Sequence, residues 1–248
     1  MKIAATTCII IPTYNNEKSI RSVVESVLRY SPNVIVVNDG ATDATGDILK
    51  EIQGIIVIAY KPNRGKGYAL KQAFTEACKQ GFTHAITLDA DGQHKASDLP
   101  KFAEAINASP SALIIGSRSF DQPNMPAKNT FANKFSNFWF TTQTAISLPD
   151  TQTGYRAYPL KTMKYRGPLN KRYEAELELL VRCAWRNISI KPITIDVYYP
   201  PREERVSHFR PTHDFVRISL LNTALCFLAI IYGYPSMGIR KLLKLIVS

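Results

Sequence analysis

The stretch Leu88-Asp89-Ala90-Asp91-Gly92-Gln93-His94 places two carboxylates one position apart, directly after the apolar residues Ile86 and Leu88. Such an apolar lead reads as the end of a buried strand, so the pair emerges at the strand's C-terminal edge. Carboxylates placed there can hold a hard divalent cation, Mg²⁺ or Mn²⁺, whose other positions are filled by diphosphate oxygens. The same residues also make an ordinary polar turn, so the rest of the chain must decide between the readings.

Other clusters occupy equivalent places. Ile11-Pro12-Thr13-Tyr14-Asn15-Asn16 and Val36-Val37-Asn38-Asp39-Gly40-Ala41-Thr42-Asp43 each close an apolar run, as does Gly116-Ser117-Arg118. Asn63-Arg64-Gly65-Lys66-Gly67 opens a helical pattern. Free N–H groups and the helix dipole there favour phosphate, and Lys66 adds a point charge. The spacing is not that of a Walker A loop, and glycines alone also make a plain turn.

These clusters need elements to carry them. Residues 7–11, 33–38, 55–59, 84–89 and 112–117 read as strands, and 19–30, 42–52, 67–80 and 97–108 as helices, with Thr42 and Ser97 able to cap two of them. Strand–helix alternation with continuously apolar strands predicts an α/β fold, a mostly parallel sheet covered by helices on both faces. Ligands bind beyond the carboxyl ends of such strands, where Tyr14, Asp39, Asp89 and Arg118 would gather. Further on, 128–145 and 173–186 read as helices, and 188–199 as a strand broken at Pro192. Phe131, Phe135, Phe138 and Trp139 form a stripe suited to core or lipid-facing packing.

The chain has 248 residues, 45% hydrophobic and 21% charged, the balance of a globular protein. Cys8, Cys78, Cys183 and Cys226 are widely spaced and read as reduced core residues of a cytoplasmic protein. Residues 8–11 are too short an apolar run for a secretory leader. Net charge is +11, unevenly spread: 15 Lys and Arg against 13 Asp and Glu in residues 1–150, and 16 against 7 in 151–248. The basic second half points to an anionic partner. No recognised nucleic-acid module accompanies the charge, so nucleic acid is not expected. Residues 215–232 are apolar nearly all round but barely reach the roughly 20 needed to span a bilayer. Arg240-Lys241-Leu242-Leu243-Lys244-Leu245-Ile246 follows as a basic amphipathic tail. Together they suggest a peripheral or monotopic anchor, with one short inserted helix as an alternative, and a buried C-terminal helix or a subunit interface as the plainer ones.

In order and spacing, these motifs resemble the family 2 glycosyltransferases, of the kind that includes dolichyl- and polyprenyl-phosphate mannose or glucose synthases. The resemblance spans roughly residues 6–200. It implies a GT-A fold over 1–212 with a membrane-associating segment over 213–248. It also implies inverting transfer of a sugar from a UDP- or GDP-sugar at the cytoplasmic membrane face. By resemblance, Pro12, Tyr14 and Asn16 line the nucleotide pocket and Asp39 meets base or ribose. Asp89 and Lys66 lie by the diphosphate, Asp91 and Gln93 join Asp89 around the metal, and Arg118 holds phosphate. Asp150-Thr151-Gln152-Thr153-Gly154-Tyr155-Arg156 resembles the family's Asp-x-x-x-Gly-[Phe/Tyr]-Arg segment, with Glu174 or Glu176 on its acidic helix. Glu176 also reads as a structural partner of Arg182. Arg202 matches an arginine that meets phosphate. Arg156, Arg202, Ser207 and His208, with Arg205 and Arg210, would receive an acceptor phosphate. Asn38 and Ala41 depart from the family's usual Asp and Ser.

The acceptor sets the mechanism. A hydroxyl nucleophile needs a general base, for which Asp150 is the candidate. A phosphate is already an anion and needs only positioning and charge screening. The arginines after residue 155 and the apolar C-terminus favour a lipid phosphate, with a sugar or lipid hydroxyl as the alternative. A sugar-phosphate nucleotidyltransferase would carry a Gly-rich basic signature where this chain has Pro-Thr-Tyr-Asn-Asn.

Overall fold

The computed structural model describes residues 3–118, 127–163, 170–172, 174–198 and 211–247. β1 (Thr7–Thr13), β2 (Val34–Asp39), β3 (Ile55–Tyr60), β4 (His84–Thr87) and β5 (Leu113–Arg118) alternate with α1 (Ile20–Leu28), α2 (Thr45–Glu51), α3 (Lys66–Lys79) and α4 (Leu99–Ala108). The cause is local. Runs of Val and Ile without polar alternation must be covered on both faces, and every residue of β1 and β2 is buried. Side chains alternate along a strand, so Ile10 and Val37 join Phe74 of α3 in one core while Ile9 and Val36 join Val24 of α1 in the other. Neither expected cap forms. α2 begins three residues after Thr42, and Ser97 lies in a 3₁₀ turn, Ala96–Asp98, ahead of α4.

After α5 (Ala127–Thr144) the chain adds β6 (Arg156–Tyr158), the short α6 (Leu160–Met163), α7 (Glu174–Trp185) and β7 (Ile190–Ile195). The strand order is β3-β2-β1-β4-β6-β5-β7. All neighbours are parallel except β6, which is antiparallel to both β4 and β5. Nothing in the residue pattern marks β6 as a strand, because three residues including an arginine carry no period. β7 is not broken at Pro192 but runs through it, since an edge strand tolerates a residue without an N–H. The cysteines are free. Cys8 and Cys183 are buried as expected, but Cys78 is exposed.

The C-terminal apolar run and basic tail form one continuous helix: α8 (Pro211–Leu228), a π turn (Ala229–Gly233) and α9 (Tyr234–Val247). Val216–Leu243 is long and apolar enough to cross a membrane, and only 22% of its most apolar window is buried. One edge packs on the protein. Gln143 Nε2 donates to Asn222 Oδ1 at 2.9 Å, and Gly233 approaches so closely that a Cβ there would lie 2.5 Å from Trp185 Nε1. The other edge exposes Leu220, Phe227, Ile230, Ile231, Ile239, Leu242 and Leu243. The helix is therefore neither buried throughout nor detached. In α5, Phe138 is exposed while Phe135 and Trp139, both against neighbouring rings, are half-buried, so the stripe runs along the edge of the core, and the Phe131 side chain lies outside the described residues.

Candidate functional site

The loops at the carboxyl edge are tied to one another. Asn15, at φ 52°, accepts from Thr42 N at 2.8 Å, and Asn16 N donates to Thr45 Oγ1 at 2.9 Å. Asn16 Nδ2 serves Thr13 Oγ1 and Tyr14 O within its own loop. Pro12 is buried in β1, while Tyr14 stays partly exposed at its end. Ser19 Oγ donates to Ala90 O at 2.6 Å and so anchors the Asp-x-Asp loop to α1. Asn38, where Asp is usual in the resembling family, accepts Ala41 N at 2.9 Å, a turn role that needs only its carbonyl oxygen.

Asp39 turns out to hold its neighbouring loop. It accepts Arg64 N, Gly65 N and Asn63 Nδ2 at 2.8, 2.8 and 2.9 Å, and it is 3% exposed. Burial raises its carboxyl above the ordinary value, with the Arg64 and Gly65 amides pulling it back.

The charged centre lies between β4, α3 and α7. Lys66 Nζ bridges Asp89 Oδ1 at 2.6 Å and Glu176 Oε2 at 2.9 Å. Burial works against the ammonium, yet Asp89 and Glu176 hold its pKa above the ordinary value. Asp89, likewise opposed by burial, is held below the usual carboxylate range by Lys66. Asp91 is pushed up to about 6 by burial and then by the Asp89 charge. Its Oδ1 accepts Gln93 N at 2.9 Å. Gly154 forms the floor. A Cβ on it would lie 2.8 Å from both Asp89 Oδ2 and Lys66 Nζ, and 3.1 Å from Glu176 Oε1. Thr87 Oγ1 fixes this floor by donating to Gly154 O at 2.7 Å.

Two participants were missed or misread in the sequence. Glu176 faces Lys66, and Arg182 pairs instead with Glu178, one helical turn away. His94 supports the loop: its Nδ1 accepts Asp89 N at 3.3 Å, and burial drives its pKa down to about 4, so the ring is neutral. No periodicity marks either role.

Arg118 and Asp150 form a closed fork. Arg118 Nε and Nη2 donate to the two carboxylate oxygens at 2.6 and 3.0 Å. Arg118 N and Gln152 N add one bond to each oxygen at 3.3 and 3.0 Å. A carboxylate offers about four lone-pair positions. Asp150, fully buried, has all of them occupied and presents none to a substrate proton.

Arg156 is a correction. It was expected at an acceptor phosphate, but it is fully buried and donates to Thr153 O, Glu176 O and Thr151 O at 2.7, 2.7 and 2.8 Å. It clamps the 151–154 loop to α7. The α3 start is a second correction. Residues 170–172 sit on it, with Tyr68 N donating to Lys171 O at 3.1 Å. Side chains at Gly65 or Gly67 would strike Lys171 O or Asn170 O at 2.5 Å. The glycines admit this segment, so the α3 start is no open phosphate cradle. Arg202, Arg205, Ser207, His208 and Arg210 lie outside the described residues.

Among the described residues, no three His, Cys, Asp or Glu side chains converge as a metal cage. The donor chemistry nevertheless fits a hard cation completed by ligand oxygens. Asp89 and Glu176 share the Lys66 ammonium, Asp91 stands two residues from Asp89 and feels its charge, and buried Glu176 Oε1 has no hydrogen-bond partner.

A sequence profile described as Glycosyl transferase family 2 matches residues 8–161. A UDP-N-acetylglucosamine–dolichyl-phosphate N-acetylglucosaminyltransferase of Methanococcus voltae is 29% identical over 213 residues, covering 77% of this chain and 85% of the relative. A polyprenol monophosphomannose synthase of Mycolicibacterium smegmatis is 27% identical over 214 residues, covering 81% and 80%. Among solved structures, a mycobacterial protein superposes with a TM-score of 0.61 at 19% identity, over 80% of this chain and 69% of the other.

Proposed function

The chain belongs to glycosyl transferase family 2, and from that premise we propose that it moves a sugar from a nucleoside-diphosphate sugar to a polyprenyl phosphate at a membrane surface. The observation that carries the choice of acceptor is the closed fork of Arg118 and Asp150. The candidate base has no lone pair to offer, which suits a nucleophile that needs no base. The relatives named for dolichyl- and polyprenol-linked products support the same reading. So does the apolar face of α8 and α9.

In this reading an acceptor phosphate oxygen attacks the anomeric carbon opposite the departing diphosphate. The new C–O bond inverts the centre, and the electron pair of the old one leaves with the nucleoside diphosphate. Tyr14, at the end of β1, stacks on the base, and Pro12 and Asn16 shape the loop that presents it. Asp91, with Asp89 and Gln93, would hold Mg²⁺ or Mn²⁺, which supplies charge neutralisation on the leaving group. Lys66, oriented by Asp89 and Glu176, adds a fixed positive charge beside it. Arg118, aimed by Asp150, screens phosphate charge. Arg202, Ser207 and His208 are assigned to the acceptor phosphate on sequence grounds.

The test is a transfer assay with purified protein, polyprenyl phosphate, Mg²⁺ or Mn²⁺, and a panel of radiolabelled UDP- and GDP-sugars. Metal-dependent label in the organic phase from one donor is the expected result. Label on a soluble sugar or lipid hydroxyl instead, lost in Asp150→Asn, would overturn the phosphate acceptor.

A further inference from the structure

A cleft of about 850 Å³ opens at the opposite end of the sheet from the carboxylates. Its walls come from the chain ahead of β5, the chain ahead of β7, and α6, which follows β6. Because β6 runs against its neighbours, its outgoing end meets the incoming ends of β5 and β7 at one edge. The cleft is therefore about one strand length, roughly 20 Å, from the Asp-x-Asp edge.

Among the described residues, Arg186, Lys191 and Arg240 line this cleft and no carboxylate does. Arg186 Nη1 donates to Met163 O at 2.8 Å and Lys191 Nζ to Ser109 Oγ at 2.6 Å, so the wall orients both cations. Each keeps further N–H donors. Together with the Ser109 and Ser111 hydroxyls, this is a donor set for a phosphate ester. A separate observation says which one. Tyr232 and Arg240 belong to the C-terminal helix, whose neighbouring Ile230, Ile231, Ile239, Leu242 and Leu243 are exposed. Tyrosine, apolar in body and polar at its tip, suits the boundary between headgroups and acyl chains.

We propose that this cleft seats the phosphodiester headgroup of an anionic phospholipid while the adjoining helix face lies among the acyl chains. The inference rests on the membrane reading given under Proposed function, and it concerns a lipid that is bound and not consumed. The cleft would fix how the protein lies on the bilayer.

The experiment measures partitioning of the full chain onto phosphatidylcholine vesicles with and without phosphatidylglycerol. The unsubstituted protein should bind both and prefer the anionic ones. Lys191→Gln with Arg240→Gln should lose about 25-fold on anionic vesicles, the square of the roughly fivefold that one cation contributes at such a surface. It should keep its binding to neutral vesicles. The charge-matched control Lys71→Gln with Lys79→Gln, both exposed on α3, should change neither. Ser111→Trp, which puts an indole into the headgroup's place without altering charge, should weaken the preference similarly. If Ser111→Trp keeps it, diffuse charge is the cause and the headgroup site is overturned. Glycerol phosphate competing fully with vesicles would overturn the lipid source in favour of a soluble phosphate. Equal binding to both vesicle types overturns the cleft alone, whereas binding to neither overturns the membrane reading beneath it.

Discussion

Gly154 has no side chain because Asp89, Lys66 and Glu176 already occupy the space that one would need. Gly154→Ala forces the ends of these side chains apart. It should cost about 1–3 kcal/mol of stability as overpacking, and transfer should slow at least about tenfold because the charges lose their positions. A melting curve and a transfer rate measured on the same sample check both, and an undiminished rate would remove Lys66 and Asp89 from the chemistry. Asp91 behaves differently, since it stands partly exposed and the bond its Oδ1 accepts from Gln93 N survives in an asparagine. Asp91→Asn should leave stability within about 0.5 kcal/mol while transfer falls about 10²–10³-fold, the scale of losing one electrostatic catalytic group. Normal transfer in that variant would end the metal-site reading.

At the scale of elements, α8 and α9 present an apolar strip that no described residue covers, and Ile230 and Ile231 are 69% and 75% exposed there. Ile230→Glu with Ile231→Glu should leave the melting temperature nearly unchanged. Vesicle binding should fall at least about tenfold, because two apolar side chains leave the interface and two charges enter it. Cosedimentation with vesicles reads this directly, and retention on the vesicles would place the anchor elsewhere. The helix also marks how far the sequence was legible. Its apolar character was plain, but not that the basic tail continues the same helix through a π turn at Ala229–Gly233, where Gly233 meets Trp185, a contact remote in sequence. The strands were legible because burial on both faces leaves unbroken Val and Ile runs. β6 was not, since three residues carry no period and its pairing partners lie 41 to 73 residues upstream. The motif positions were found by type and order, but type does not say which way a side chain faces. Arg156 reads as a phosphate arm from sequence and is a buried clamp in the fold. Gly65 and Gly67 read as a cradle and are clearance for residues 170–172.

For the whole molecule, buried acids set the alkaline limit of stability. Burial pushes the Cys8 and Cys183 thiols from an ordinary 9.0 up to about 12. In the unfolded chain they ionise near 9, so between about pH 9 and 12 the unfolded state binds fewer protons and stability falls as pH rises. The slope approaches roughly 1.4 kcal/mol per pH unit for each thiol. Urea midpoints followed across that window should show the decline, and Cys8→Ala with Cys183→Ala should make it shallower, leaving the share of the buried Tyr158 phenol, also raised to about 12; an unchanged slope would put the titrating groups elsewhere. The whole molecule also depends on β6 in a way its length conceals. With β6 between them, β4 and β5 share no ladder, so a strand of three residues joins β3-β2-β1-β4 to β5-β7. During synthesis, the first five strands emerge before the piece that unites them. The 150–154 loop arrives with that strand, and Glu176 of the charged centre and β7 follow it, so a nascent chain halted short of residue 158 has neither a joined sheet nor a site.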